Sequence, residues 1–155
     1  MLALSVLVLT CMMAACGDST PGTTVTPPGP GQQMRPVASV DQVMDGIIIP
    51  ASQRVFDAVV YVNGKLEQSP KTDDDWFGIQ MQALAVAEAG NLLMMPPRAK
   101  DTGEWLTFSR ALTDSAYRVA QAADAKNLDL VLTTGGEMYA ACTACHEKYL
   151  TMPEQ

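Results

Sequence analysis

Two cysteines and the only histidine of the chain lie close together near its end, in the stretch MYAACTACHEKYL at residues 138–150. Cys142 and Cys145 are spaced C-x-x-C, and His146 follows directly. On a helix these positions are i, i+3 and i+4, so the three side chains lie on one face. Two thiols and an imidazole in this arrangement are typical of the covalent attachment of a c-type haem. The thiols would form thioethers with the haem vinyl groups, and the imidazole would bind the iron.

Other uses of the C-x-x-C pair fit the sequence less well. A thioredoxin-like pair lies at the N-terminal end of a helix, where the dipole lowers a thiol pKa, whereas this pair lies near a C-terminal end. A structural zinc ion needs four ligands, and residues 37–155 contain no other Cys or His. A disulfide, or two inert thiols, would leave the adjacent histidine unexplained. The sequence therefore favours one covalent haem c.

The first sixteen residues are typical of a bacterial export signal. MLALSVLVLTCMMAAC is an apolar run followed by small residues, and it is shorter than the about 20 apolar residues of a membrane-spanning helix. MAACGD resembles a lipobox, so Cys16 is a candidate for lipid attachment. The alternative is a plain secretory signal with an incidental cysteine. Because c-type haem is attached outside the cytoplasm, export agrees with the haem motif, and we expect a periplasmic lipoprotein.

Residues 17–36 have the composition of a flexible tether. They contain five prolines and four glycines and show no apolar periodicity. Such a stretch does not bury enough apolar surface to offset its ordering entropy. The folded domain is therefore expected to cover residues 37–155.

The composition limits the partners and the fold class. A formal net charge of −7 argues against a nucleic-acid partner, which calls for a basic face. An acidic surface aids solubility or complements a basic protein. Aromatic residues make up only 6% of the chain, which favours helices over a β-sandwich.

The first predicted helix begins after Ser39, which forms a capping-box pattern with Gln42. Pro50 interrupts this helix and is expected to bend it. Asn63-Gly64 marks the turn that follows. Apolar residues at steps of three and four extend this helix to residue 62. They are Val40, Met44, Ile47, Ala51, Val55, Ala58 and Val62.

Two further helices are predicted from their terminal signals. The second opens at Thr72, with Asp73, Asp74 and Asp75 against the positive end of its dipole. Pro96-Pro97 stop it. The third is expected to be capped by Asp101 together with Glu104.

The fourth predicted helix follows Asn127 and carries the C-x-x-C-H motif near its C-terminal end. Gly135-Gly136 weaken its first half, so a start after them is the alternative. No strand-like alternation of useful length appears. The sequence therefore predicts an all-α fold, an antiparallel up-down-up-down four-helix bundle with covalent haem near the C-terminal end of the last helix.

An exported four-helix bundle with this motif on its last helix resembles the class II cytochromes c, which include the cytochromes c-prime and their low-spin Met-ligated relatives. The resemblance covers residues 38–150. It is carried by YAACTACHEKY, by GNLLMMPPRAKDTGEW and by VDQVMDGIIIPAS. The chain departs from better-known members in its proline-rich tether and in Pro50. The resemblance implies a mono-haem protein and a homodimer formed through the first two helices.

The predicted topology also indicates what surrounds the haem. Met44 in the first helix and residues 92–98 should lie at the same end of the bundle as His146. In low-spin members of the family a first-helix methionine is the sixth iron ligand, and Met44 occupies the matching place. The alternative is that Met44 only fills the core. Met94 and Met95 are weaker candidates for the ligand.

Arg98 and Lys100 are candidates to pair with a haem propionate near this end. The alternative is that these charges are simply solvated. Together these features predict electron transfer between unidentified redox proteins, with membrane contact only through the lipid anchor. The alternative is a five-coordinate cytochrome c-prime-like protein that binds NO or CO with His146 alone on the iron. A non-redox module with structural haem is a third hypothesis. No catalytic constellation is visible in the sequence, and enzyme activity is not expected.

Overall fold

Helices account for most of residues 34–150, the part of the chain that the computed structural model describes. Cys16, the export signal and the tether up to residue 33 lie outside the described residues, as do residues 151–155. The elements in chain order are α1 (Val40–Val43), a π-helical turn (Met44–Ile48), α2 (Ile49–Phe56), β1 (Val60–Val62), β2 (Lys65–Gln68), α3 (Asp73–Met94), α4 (Glu104–Asp124) and α5 (Leu128–Tyr149). We refer to α1, the π turn and α2, which are continuous, as the first helix.

The start of the first helix is set by its cap. The Ser39 hydroxyl accepts a hydrogen bond from the Gln42 N–H at 3.1 Å, and the Gln42 side-chain oxygen accepts one from the Ser39 N–H at 2.9 Å. This reciprocal pair satisfies two donors that a helix N-terminus otherwise leaves free. The predicted capping box is confirmed.

The middle of the first helix differs from the regular helix that the sequence predicts. Directly before Pro50 the hydrogen-bonding changes, and the Ile49 N–H donates to the carbonyl of Met44, five residues back. The buried residues on either side of this turn are Val43 and Ile48. Ile47, predicted on the inward stripe, is 36% exposed, because the wider π turn shifts the register by one residue.

The end of the first helix was predicted at Val62, and this prediction is wrong. The helix ends at Phe56, and β1 and β2 form an antiparallel hairpin. Asn63 and Gly64 connect the strands with φ values of 51° and 79°. Two positive φ values match the mirror-image turn that suits the twist of a tight hairpin. The expectation of no strands is therefore also wrong, since β-branched residues before Asn-Gly override the helical period.

The caps of α3 and α4 are polar and local. The second helix, α3, opens at Thr72, as the sequence predicts, and Thr72 and Asp75 form a capping box there. At α4 the N-cap residue is Gly103, not Asp101. The Asp101 carboxylate nevertheless accepts hydrogen bonds from the N–H groups of Gly103 at 2.7 Å and Trp105 at 3.1 Å. Asp101 thus closes the start of α4 from outside the helix.

The last helix begins at Leu128, after the Asn127 side chain accepts a hydrogen bond from the Leu130 N–H at 3.0 Å. It runs unbroken through Gly135-Gly136, so the alternative start after these glycines is wrong. Its buried residues on both sides of the pair include Val131 and Met138. Their packing outweighs the cost of about 1 kcal/mol for each helical glycine.

The long helices pack in sequence, α3 against α4 and α4 against α5, and the first helix packs against α3. The Lys126 ammonium, after α4, lies 2.7 Å from the Asp73 carboxylate at the start of α3. At the other end of the pair, the Trp105 indole N–H donates to the Leu93 carbonyl at 2.8 Å. The two helices are therefore antiparallel.

One glycine allows the close approach of α3 and α4. A Cβ atom on Gly90 would lie 2.2 Å from the Thr113 hydroxyl oxygen and 3.1 Å from the Ser109 carbonyl oxygen of α4. A contact of 2.2 Å does not occur for real side chains, and 3.1 Å to a backbone atom is tighter than most, so the helix spacing depends on the missing methyl group. Gly90 itself is buried.

Candidate cofactor-binding site

A cavity of about 370 Å³ lies between the first helix and the C-terminal half of α5. Small-molecule and cofactor sites are usually concave, mostly apolar and about 300–1,000 Å³ in volume. Apolar side chains from four helices form most of its wall, among them Ile48, Phe56, Leu93, Phe108 and Leu112. The cavity therefore has the size and character of a ligand pocket.

The C-x-x-C-H motif forms one wall of this cavity. Cys142, Cys145 and His146 all line it, and all three lie in α5 near its C-terminal end. The two cysteines are half-buried free thiols, and the histidine is exposed. The helical spacing predicted from the sequence is thus present, and it directs the motif at an apolar space.

The pKa values of the two thiols argue against thiol–disulfide redox chemistry at Cys142 and Cys145. Burial raises the pKa of Cys142, and the neighbouring Cys145 raises it further. Burial also raises the pKa of Cys145. A redox-active C-x-x-C pair needs a lowered thiol pKa, so the environment of this pair favours protonated thiols.

Met44 lines the same cavity from the first helix, where it is the first residue of the π turn. It is half-buried and packs beside the core. Met94 and Met95 do not line the cavity. Among the methionines considered from the sequence, the structure therefore brings only Met44 to the space that the motif faces.

Arg98 lies elsewhere. Its side chain is 6% exposed, and it donates hydrogen bonds to the carbonyls of Ala38 at 2.9 Å and Leu92 at 3.1 Å. It does not line the cavity, and Lys100 is exposed and does not line it either. Arg98 ties the chain before the first helix to the end of α3, and its pairing with a propionate stays a prediction.

An aromatic cluster anchors the end of α5 beside the motif. The Tyr149 ring meets Trp105 edge to face at 5.0 Å and Phe108 at 6.2 Å between ring centroids. The Tyr149 hydroxyl donates a hydrogen bond to the Asp101 carboxylate, which raises the pKa of Tyr149 to about 12 and lowers that of Asp101. No pattern in the sequence indicates that Asp101 is the partner of Tyr149.

A second aromatic pair lies farther along the cavity. The rings of Phe56, in α2, and Tyr139, in α5, meet edge to face with their centroids 5.8 Å apart. Both residues line the cavity. Their contact joins the first helix to α5 and bounds the space between them.

The residues present fit a haem. The wall is mostly apolar, as a flat macrocycle requires, and it offers one imidazole, one thioether sulfur and two thiols in attachment spacing. Within residues 34–150 no group of three or more His, Cys, Asp and Glu side chains is arranged to hold a metal ion by itself. This donor set suits an iron that already carries four ligands from its macrocycle.

None of the helices in the described part of the chain combines the length and the apolar character that crossing a bilayer requires. Comparison of the chain with protein-family models, with curated proteins and with solved structures finds no match. The resemblance to a cytochrome family therefore depends on the motif, on the element order and on the cavity that the motif faces.

Proposed function

We propose that this chain is an exported mono-haem c-type cytochrome that transfers electrons. In this proposal the four helices form an up-down-up-down bundle with the haem at the C-terminal end of α5. The observation that carries the proposal is a single cavity lined by Cys142, Cys145 and His146 from α5 and by Met44 from the first helix.

In this proposal each of these residues binds one part of the cofactor. Cys142 and Cys145, whose free thiols are half-buried at the cavity, would hold the cofactor through thioethers. His146 from α5 and Met44 from the first helix, which line the same cavity, would be the residues that hold the iron. When bound, the haem iron supplies a one-electron change of oxidation state.

The rest of the cavity sets the environment of the cofactor. Leu93 from α3 and Phe108 and Leu112 from α4 supply apolar surface to the wall of the cavity. A methionine ligand and an apolar surrounding both raise a haem reduction potential. We therefore place this protein among cytochromes of comparatively high potential.

The location and partners of the protein follow from the same proposal. Export and lipid attachment at Cys16 would hold the domain outside the cytoplasmic membrane, where c-type haem is attached. The partners would be redox proteins that exchange electrons with the exposed edge of the cavity. The five-coordinate alternative, which binds NO or CO, differs from this proposal only in that Met44 shields the iron without binding it.

The experiment that tests the proposal uses protein exported in a host that matures c-type cytochromes. Acid–acetone extraction should leave the haem on wild-type protein, because thioether bonds survive denaturation. The paired substitution Cys142→Ala and Cys145→Ala should lose it. Thr133→Ala, at an exposed residue of the same helix that does not line the cavity, is the matched control and should retain it. Loss of haem from extracted wild-type protein, or its absence before extraction, would overturn the proposal.

A further inference from the structure

The first helix changes its register at the π turn, and this change decides which residue faces the cavity. Along this helix each buried core residue is followed directly by a residue that lines the cavity. These neighbouring pairs are Val43 and Met44, Ile48 and Ile49, Ala51 and Ser52, and Val55 and Phe56. From Ile48 onward the pairs recur after three and then four residues, as in any α-helix. Across the π turn they recur after five.

A regular helix would present a different residue. In a regular helix the preceding pair would lie four residues before Ile48 and Ile49. That pair would be Met44 and Asp45. Met44 would occupy the core position beside α3 that Val43 now holds, and Asp45, which is exposed, would face the cavity. The alternative core stripe of Met44, Ile48, Ala51 and Val55 is also fully apolar, so hydrophobic patterning does not forbid it.

Pro50 supplies the local reason for the π turn. In a regular helix its ring would clash with the carbonyl of Gly46, four residues back, and its nitrogen could not donate to that carbonyl. The helix instead widens, and the Ile49 N–H donates to the Met44 carbonyl. Gly46 itself is exposed, and a Cβ atom on it would meet nothing within 4 Å. Contacts of Gly46 therefore do not account for the π turn.

From this geometry we infer that Pro50 is a positioning residue, which imposes the π turn and thereby places Met44 rather than Asp45 at the cavity. Pro50 is exposed and does not line the cavity, so it acts only through the register of the helix. The register can be measured in protein without haem. Its consequence for iron ligation is the one part that rests on the proposed function.

The first test measures the register in protein without haem. Its background is the full chain with Cys11, Cys16, Cys142 and Cys145 replaced by alanine. A single thiol is then introduced by Met44→Cys, and its alkylation rate is measured with and without Pro50→Ala. Because Met44 is half-buried at the cavity whereas the Val43 position is 1% exposed, Pro50→Ala should slow alkylation by about tenfold or more.

A deletion supplies the rescue. Removing Gly46 together with Pro50→Ala makes the same pairs recur after four residues in a regular helix, which returns position 44 to the cavity. The combined variant should recover the wild-type alkylation rate. Pro70→Ala, at a proline outside any helix, is the matched control and should not change the rate.

The second test uses the haem-loaded protein with native cysteines. Pro50→Ala should abolish the spectroscopic signature of Met44 on the iron, and the combined variant should restore it. An unchanged alkylation rate in folded Pro50→Ala protein, or no recovery in the folded combined variant, would overturn the inference. If Pro50→Ala does not fold, the combined variant decides alone, and its failure to fold or to react at the wild-type rate would also overturn it. Wild-type protein without haem would refute the proposed function, and the alkylation rates would still decide the role of Pro50.

Discussion

Met44, at the start of the π turn, and His146, near the end of α5, line one cavity from two different helices. They are the methionine and the histidine that the sequence indicates as candidate iron ligands. Their proximity depends on how the two helices pack and not on the sequence around either residue. Substitution of Met44 should therefore distinguish a protein that transfers electrons from one that binds gas.

Met44→Ala should convert a low-spin absorption spectrum to a high-spin one. Loss of the thioether would remove the methionine–iron charge-transfer band, lower the reduction potential and allow CO to bind. Met95→Ala, at a half-buried methionine that does not line the cavity, is the control and should leave the spectrum unchanged. A low-spin spectrum that survives Met44→Ala would exclude Met44 as the ligand. A wild-type spectrum that is already high-spin would favour the five-coordinate alternative.

Gly90→Ala should destabilise the protein by about 1–3 kcal/mol, the usual cost of overpacking a close contact. The new methyl group would lie 2.2 Å from the Thr113 hydroxyl oxygen, so α3 and α4 would have to separate. Urea denaturation followed by circular dichroism measures the change. Thr113→Ala should recover part of the loss, because it removes the nearest clashing atom.

The matched control for that change is Gly135→Ala, at a buried glycine of α5. A Cβ atom there would meet nothing within 4 Å, and alanine is the better helix former by about 1 kcal/mol. This substitution should therefore raise the free energy of unfolding. Equal effects of the two substitutions would contradict the close approach at Gly90.

The hydrogen bond from Tyr149 to Asp101 should give stability a defined pH dependence. The pKa of Asp101 is lowered, chiefly by Tyr149 and then by the Gly103 N–H, so its contribution is present above the ordinary carboxyl pKa and is lost as the pH falls through the lowered value. The pKa of Tyr149 is raised to about 12, so its contribution is full below the ordinary phenol pKa and is lost as the pH rises towards 12.

Tyr149→Phe retains the ring contacts and removes only the hydroxyl. Its melting temperature should be below that of wild type between about pH 4 and pH 10, the ordinary pKa values of the two groups. The difference should shrink on either side of this range. A constant difference from acid to alkaline pH would mean that the hydrogen bond is not its cause.

Lipid attachment is tested at Cys16, which lies outside the described residues. Mass spectrometry of the membrane fraction should find a mature chain that begins at Cys16 and carries lipid. Cys16→Ser should release the protein from that fraction, while Cys11→Ser should not. An unmodified soluble wild-type protein would leave residues 1–16 as an ordinary signal.

The parts of the fold that the sequence predicts correctly depend on neighbouring residues. The Ser39 and Thr72 caps involve side chains that reach backbone three residues away, and the C-x-x-C-H face follows from helical spacing alone. The position of the motif near the C-terminal end of α5 is likewise local information.

The errors arise where two local rules compete or where the partner is distant. Helical periodicity continued to Val62, but Asn63-Gly64 and the β-branched residues before it favour a hairpin. A constant helical period also fails to predict the register shift before Pro50. Because of this shift, Ile48 lies in the core instead of Ile47. The pairing of Tyr149 with Asp101 depends on tertiary packing, and no pattern in either segment predicts it.

The most direct measurement is peptide mass spectrometry of the denatured protein, exported in a host that attaches c-type haem. The peptide containing Cys142, Cys145 and His146 should carry the mass of one haem, joined through both cysteines. Recovery of this peptide with two unmodified thiols, from cells that mature a control cytochrome c, would refute covalent haem attachment.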